Sequence, residues 1–505
     1  MNERTKYSIK NIKVGLVYKV VNLIMKFAMR TVFIYSLGQS YVGVNGVFSN
    51  ILSVLSLAEL GIGSAIIYDL YKPIAFGEEK HITQLYKFYK KIYTIIGIVI
   101  LGIGLCLCPF LKYIITNAPN INNIQLIYVL TLISTASSYF FAQYSSIIEA
   151  YQQQYIVSFY NMIGSVVKAS TEIILLIVFK SYILYLIVDI LISLLVSFII
   201  AKKAIMLYPF IKKSVEPLAI NQVKKILSNA MSLFSMKIAF TTINATDNIL
   251  ISSMISTIVA GSYSTYLLII MSVQQMVYTL KMGVMASVGN LCAASNYAEK
   301  QRVFNNLRFI FAWTNCIVVS CFLVVLTPFI KLWAGKSYEL PYCTVVVMTL
   351  NYLLRGIQWP IEVFYNADGL YKYFRVKPWI EVIINIISSV ILCKYIGITG
   401  IVLGTTISEV LTTFWYDIFI TNKYSLHGSL KRYWKTTAIY LVATFLISII
   451  VIVVANQSQI KNDIISILIR AFIALLISAI LFAVLFFKTD EFNYCTRRIR
   501  QLFRV

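Results

Sequence analysis

Fourteen runs of about 20 predominantly apolar residues follow one another along this chain, and no other feature limits its fold so severely. A run of that length crosses the hydrocarbon core of a bilayer, where every backbone polar group needs an internal partner and the helix supplies all of them. Composition agrees, with 59% of the 505 residues hydrophobic and only 13% charged. The expectation is an all-α polytopic membrane protein of 14 transmembrane helices.

The charge pattern orients it. Cytoplasmic loops of membrane proteins collect Lys and Arg, which explains the formal net charge of +24 without nucleic acid. Arg4, Lys6, Lys10 and Lys13 place the N terminus inside. Alternation then puts thirty Lys/Arg in cytoplasmic segments, six outside and eight within spans, accounting for all 44. The C terminus, with Arg497, Arg498, Arg500 and Arg504, also lies inside. The first apolar run carries charges and lacks a small-residue cleavage motif, so no cleaved signal peptide is expected. Eight scattered cysteines form neither a disulfide framework nor a zinc pattern, and His81 and His427 fall in loops.

The chain also repeats. Pro109-Phe110-Leu111-Lys112 matches Pro328-Phe329-Ile330-Lys331 at a displacement of 219. Ser40-Tyr41-Val42-Gly43 pairs with Thr257-Ile258-Val259-Ala260 at 217, and Glu149-Ala150-Tyr151 falls beside Asp368-Gly369-Leu370-Tyr371. A near-constant displacement across six helices points to two lobes entering the membrane the same way, a parallel repeat known among transporters. The expected organisation is an N-terminal six-helix lobe over 1–207, a basic cytoplasmic linker over 208–222, a second lobe over 223–423, and two appended helices with a basic tail over 424–505.

The first helix, Ile12 to about Gly38, carries Lys19, Lys26 and Arg30, with Asn22 beside them. Steps of seven and four residues put all three cations on one helix face. A charge at mid-bilayer costs at least about 2.5–3.5 kcal/mol and normally faces a cavity or a partner. No acid lies in this helix to neutralise the stripe, so it points to an anionic cargo; for Lys19, snorkelling to the interface is the competing reading. Carried through the repeat, the stripe maps to Lys237, Asn244 and Asn248, and with Thr241 these form a polar seam on the seventh helix. Helix–helix hydrogen bonding is the alternative for Thr241 and Asn248.

Lys168, Lys281 and Arg355 are the other central cations, and Arg470 reads as structural. They share the membrane with Glu59, Glu172, Asp189, Asp247, Glu362, Glu381, Glu409 and Asp417, so several are open to simple pairing. Arg355 with Glu362, seven apart on one face, is the obvious pair, with Pro360 between them as a kink. Glu59 and Asp247 are candidates for coupling to a proton or cation, against the reading that each is a structural carboxylate. Gly335-Lys336-Ser337 lacks the glycine a phosphate loop needs five residues earlier. No metal motif, nucleophile elbow or Rossmann fingerprint appears, so the chain reads as a transporter rather than an enzyme, with no cofactor. A proton gradient, a sodium gradient and the membrane potential all remain open as the energy source.

These residues resemble a known family. Arg30-Thr31-Val32 through Ser36-Leu37-Gly38, then Tyr41-Val42-Gly43 and Leu57-Ala58-Glu59-Leu60-Gly61-Ile62-Gly63-Ser64-Ala65, are similar to the N-terminal region of bacterial Wzx-type polysaccharide flippases of the MOP superfamily. The resemblance implies two six-helix lobes in an inverted V, alternating access, and transport of undecaprenyl-diphosphate-linked oligosaccharide across the bacterial cytoplasmic (inner) membrane for O-antigen or capsule. A polysaccharide polymerase and glycosyltransferases are candidate partners. Related lipid II flippases place cations of the first, second and eighth helices in a central cavity; Lys26, Arg30 and Lys281 lie in matching helices, while helix two lacks a central cation. A diphosphate in a low-dielectric cavity calls for such a cluster, with Lys237 and Arg355 beside it, and Asn22, Asn45, Thr241, Asn244, Gln274, Gln275 and the 35 tyrosines offer partners for the sugars. Competing functions are a cation-coupled multidrug exporter of the same superfamily, whose cavity would favour acids, a peptidoglycan-precursor flippase, and a nontransporting scaffold.

Overall fold

The computed structural model describes residues 3–56, 76–111, 123–220, 245–294, 297–374, 376–457 and 462–502, with a few isolated positions between them. Every regular element among these residues is helical. Ten helical stretches of the described residues are long and apolar enough to cross a membrane, one of them a 55-residue stretch that contains a kink between two helices. The protein is an all-α, multi-pass membrane protein.

Contacts divide the chain into Met1–Gly261 and Ser262–Val505. The first unit opens with α1 (Glu3–Leu37), which ends at Gly38. Gly38 has φ +84°, a conformation that costs glycine little, and α2 (Gln39–Leu55) follows at once, so the chain reverses in a tight turn. Then come α3 (Glu79–Leu107), α4 (Ile124–Tyr139), α5 (Ala142–Ala150), α6 (Gln154–Phe179) and α7 (Tyr182–Leu207). Pro109, which cannot donate a backbone hydrogen bond, sits in the short 3₁₀ turn that closes α3. Its counterpart Pro328 lies inside α9 (Tyr297–Trp333) instead. Helix α1 packs along α6, α6 against α7, and α4 against both α3 and α7.

The repeat-related segments at Gly43 and Thr257 touch. A Cβ on Gly43 would stand 2.0 Å from the Thr257 carbonyl oxygen, so only glycine permits this approach of α2 to the start of α8 (Thr257–Ala294). Gln39 Nε2 donates to the Ile258 carbonyl at 3.3 Å beside it.

In the second unit α9 is the hub. It packs against α10 (Tyr342–Ala367), α13 (Leu430–Gln457) and α14 (Asp463–Phe486). Phe309, Cys316 and Val324 of α9 share one apolar core with Ile447 and Val451 of α13 and Phe482 of α14. Cys495 of α15 (Asp490–Leu502) closes that core. The two appended helices are therefore docked on α9 by side-chain packing. Between α10 and α13 lie α11 (Lys377–Leu411) and α12 (Thr413–Thr421). Helix α11 is two helices joined at Ile396 and Gly397, whose non-helical angles, with φ +58° at the glycine, break the backbone ladder. Pro360 is accommodated inside α10, which continues to Ala367.

Candidate functional site

In the first unit α1 places Lys19, Asn22, Lys26 and Arg30 along one face by its 3.6-residue period. Lys19 and Lys26 are exposed; Asn22 and Arg30 are half-buried. Arg30 lies within electrostatic reach of the Tyr182 and Tyr185 phenols on α7. One turn on, Phe33 packs edge-on against both rings, at centroid distances of 5.1 and 5.7 Å. Tyr182 in turn donates to Asn45 Oδ1 of α2 at 2.9 Å. The arginine end of the stripe is thus held against an aromatic wall, whereas the lysine end is open.

Lys168 of α6 takes no part in that stripe. It is ion-paired with Asp189 of α7, which also accepts from Ser134 of α4. Glu172, one turn beyond Lys168, is buried beside the pair. Asp247 and Asn248 are both buried in the helical segment 245–254. Glu59, Lys237, Thr241 and Asn244 lie outside the described residues.

In the second unit the sequence-predicted cations Lys281 and Arg355 belong to one buried network. Lys281 of α8 pairs with Glu362 of α10. Arg355 Nε of α10 donates to Glu409 Oε1 in the second half of α11 at 2.7 Å. Lys377, at the start of α11, reaches Asp417 Oδ1 of α12 at 2.7 Å. Glu381, one turn after Lys377, accepts from Thr413 Oγ1 at 2.8 Å. Lys377 lies within electrostatic reach of Glu362 and Glu381 as well, so the pairs form a continuous set. In low dielectric a charge is tolerated only with a partner and hydrogen bonds, which is why these side chains converge.

The expected Arg355–Glu362 pair does not form. Each of these residues takes its partner from another helix, Arg355 from α11 and Glu362 from α8, because a seven-residue step spans about 10 Å of helix axis, too far for a direct bond between two side chains packed inward. Lys377 and its role went unread in the sequence, where it stands at a helix start and looks cytoplasmic. Arg308 was missed too. It is buried in α9, donates to the Tyr433 carbonyl at 3.0 Å and Thr437 Oγ1 at 2.7 Å, and lies over the Tyr433 ring, tying α13 to the hub.

No protein-family model matches the chain, and no curated protein matches it by sequence. Solved structures do. The lipid II flippase MurJ in an inward closed conformation superposes with a TM-score of 0.68 at 16% identity, over 95% of this chain and 99% of that one. The fold is that of MurJ and the MATE transporters. An inward-facing multidrug resistance MATE family transporter of the MOP superfamily aligns at TM-score 0.60 and 14% identity, over 81% of this chain and 98% of its own. The Vibrio cholerae MATE transporter VcmN aligns at 0.54 and 15%, covering 84% and 98%. The MATE structures stop short of the full chain, whereas the MurJ-like alignment takes in nearly all of it. These neighbours are themselves transporters and flippases.

Proposed function

We propose that this chain is a MOP-superfamily flippase that moves undecaprenyl-diphosphate-linked oligosaccharide repeat units across the bacterial cytoplasmic membrane by alternating access, with both termini cytoplasmic. The observation that carries the reading is the cationic face of α1. Lys19 and Lys26 stand exposed on a membrane helix with no acid of that helix beside them, and Arg30 continues the face. Such a face suits an anionic headgroup and repels the cationic drugs of a multidrug exporter. Lys237 and Lys281 are assigned as further candidate diphosphate ligands, and Asn22, Thr241 and Asn244 as candidates for sugar hydroxyls. Arg355 is reassigned to the framework, because Glu409 already holds it. Glu59 and Asp247 remain the proposed coupling residues, with a proton or sodium gradient or the membrane potential as driving force, and a polymerase and glycosyltransferases as partners.

A peptidoglycan-precursor flippase is the second reading, favoured by the likeness to MurJ over nearly the whole length. Both cargoes are polyprenyl diphosphates. The test is extraction and mass spectrometry of lipid-linked glycans from cells lacking the protein. Accumulated undecaprenyl-diphosphate oligosaccharide, cleared by the intact chain but not by the Lys26→Ala/Arg30→Ala variant, is the expected result. Accumulated peptidoglycan precursor selects the second reading. Normal lipid pools with altered drug sensitivity would overturn both.

A further inference from the structure

Lys281 poses a problem for any cation meant to hold cargo. Its side chain is only 4% exposed, and a buried ammonium without an anion is too costly to persist. The empty protein must therefore supply an anion of its own, and it does so with Glu362, while the Tyr278 ring lies 4.8 Å from Nζ.

Glu362 differs from the other paired acids of the network. Its side chain is 30% exposed, against 8% for Glu409 and 3% for Asp417. Arg355 and Lys377 hold their carboxylates sealed between helices, whereas the Glu362 end of its pair is open. A displaced Glu362 also has somewhere to go, since Lys377 is already within its electrostatic reach. Among the described residues of this network, four carboxylates (Glu362, Glu381, Glu409 and Asp417) face three cations (Lys281, Arg355 and Lys377). A second anion at Lys281 is therefore repelled unless one carboxylate withdraws.

Resting on the flippase reading above, we propose that Glu362 is the resident counter-ion of Lys281 and that the cargo diphosphate displaces it. Lys281 is then never unpaired, and the exchange sets specificity. A diphosphate, carrying more charge and more acceptor oxygens than one carboxylate, wins the ammonium; a neutral lipid does not. Glu362 acts as a specificity-determining competitor, and Lys281 is the group that touches cargo.

The full chain in lipid nanodiscs tests this, with farnesyl diphosphate as the probe and farnesol as its neutral control. Glu362→Gln keeps the shape, removes the charge, and is expected to tighten farnesyl diphosphate binding about tenfold without changing farnesol binding. Lys281→Gln is expected to lose the preference for the diphosphate, and the double variant to behave like Lys281→Gln. If Lys281→Gln loses binding while Glu362→Gln leaves it unchanged or weaker, the competitor role is overturned and the flippase reading stands. If wild type does not prefer the diphosphate at all, the underlying reading falls with it. A measurement on the unmodified protein guards against misfolding of the variants: carbodiimide footprinting of Glu362 should increase when farnesyl diphosphate is added. Unchanged labelling at saturating probe would equally overturn the exchange.

Discussion

Arg355→Met removes the guanidinium from Glu409 while leaving an apolar stem of similar length. The two side chains are 17% and 8% exposed and their contact is 2.7 Å, so water does not take over the lost interaction. Glu409 is then left buried without its bonded cation, and removing one partner of a buried pair costs roughly 3–5 kcal/mol. Lys377, within electrostatic reach of Glu409, returns part of it, and the expected loss is about 3 kcal/mol. Removing both charges, as Arg355→Met/Glu409→Leu, should restore stability to within about 1 kcal/mol of wild type, because the desolvation penalty of both ions disappears with their attraction. Equilibrium unfolding of the purified protein in mixed micelles with a denaturing detergent, followed by helical circular dichroism, reads each variant. A single variant losing less than about 1 kcal/mol, or a double variant no more stable than the single, would refute the pairwise argument. The double variant should also still clear lipid-linked glycan in cells, as expected of a framework residue and not of a cargo ligand.

Further outcomes follow from other contacts. Gly43→Val forces methyl groups into the Thr257 carbonyl and should cost at least about 2 kcal/mol in the same unfolding assay, with Gly43→Ala intermediate. Arg308→Ala removes two hydrogen bonds and the Tyr433 stacking that hold α13 to α9; an expected loss of about 2–3 kcal/mol should appear as faster proteolysis between Thr421 and Leu430. Burial, and then Glu491, push the Cys495 thiol up to about 11. Iodoacetamide should therefore modify it slowly at pH 8 and about tenfold faster per pH unit above that, and a pH-independent rate would contradict its buried setting. Because the folded chain keeps that proton longer than the unfolded chain, the thiol's stabilising contribution is complete below about pH 9 and is lost as the pH rises toward 11.

Much of this protein is legible one residue at a time. Apolar run length alone requires membrane-spanning helices, since an unpaired peptide group in hydrocarbon is too costly for any open alternative. The turn at Gly38 and the 3₁₀ turn at Pro109 follow from the backbone chemistry of those two residues, and the α1 stripe follows from helical period. All of these are local or periodic properties, so spacing carries them.

Which charge neutralises which is a different kind of question. Lys281 and Glu362 are 81 positions apart, and Arg355 and Glu409 are 54 apart. Helical spacing offered Glu362 to Arg355, and tertiary packing gave it to Lys281 instead. The same holds for Arg308, whose acceptors on α13 come from 125 and 129 residues away. Along the chain each of these is simply an ion in an apolar run. Desolvation makes a partner obligatory for every one of them, but only the folding of α8 to α13 against one another chooses it, because a side chain reaches a few ångströms and the chain order says nothing about which helix will stand that close.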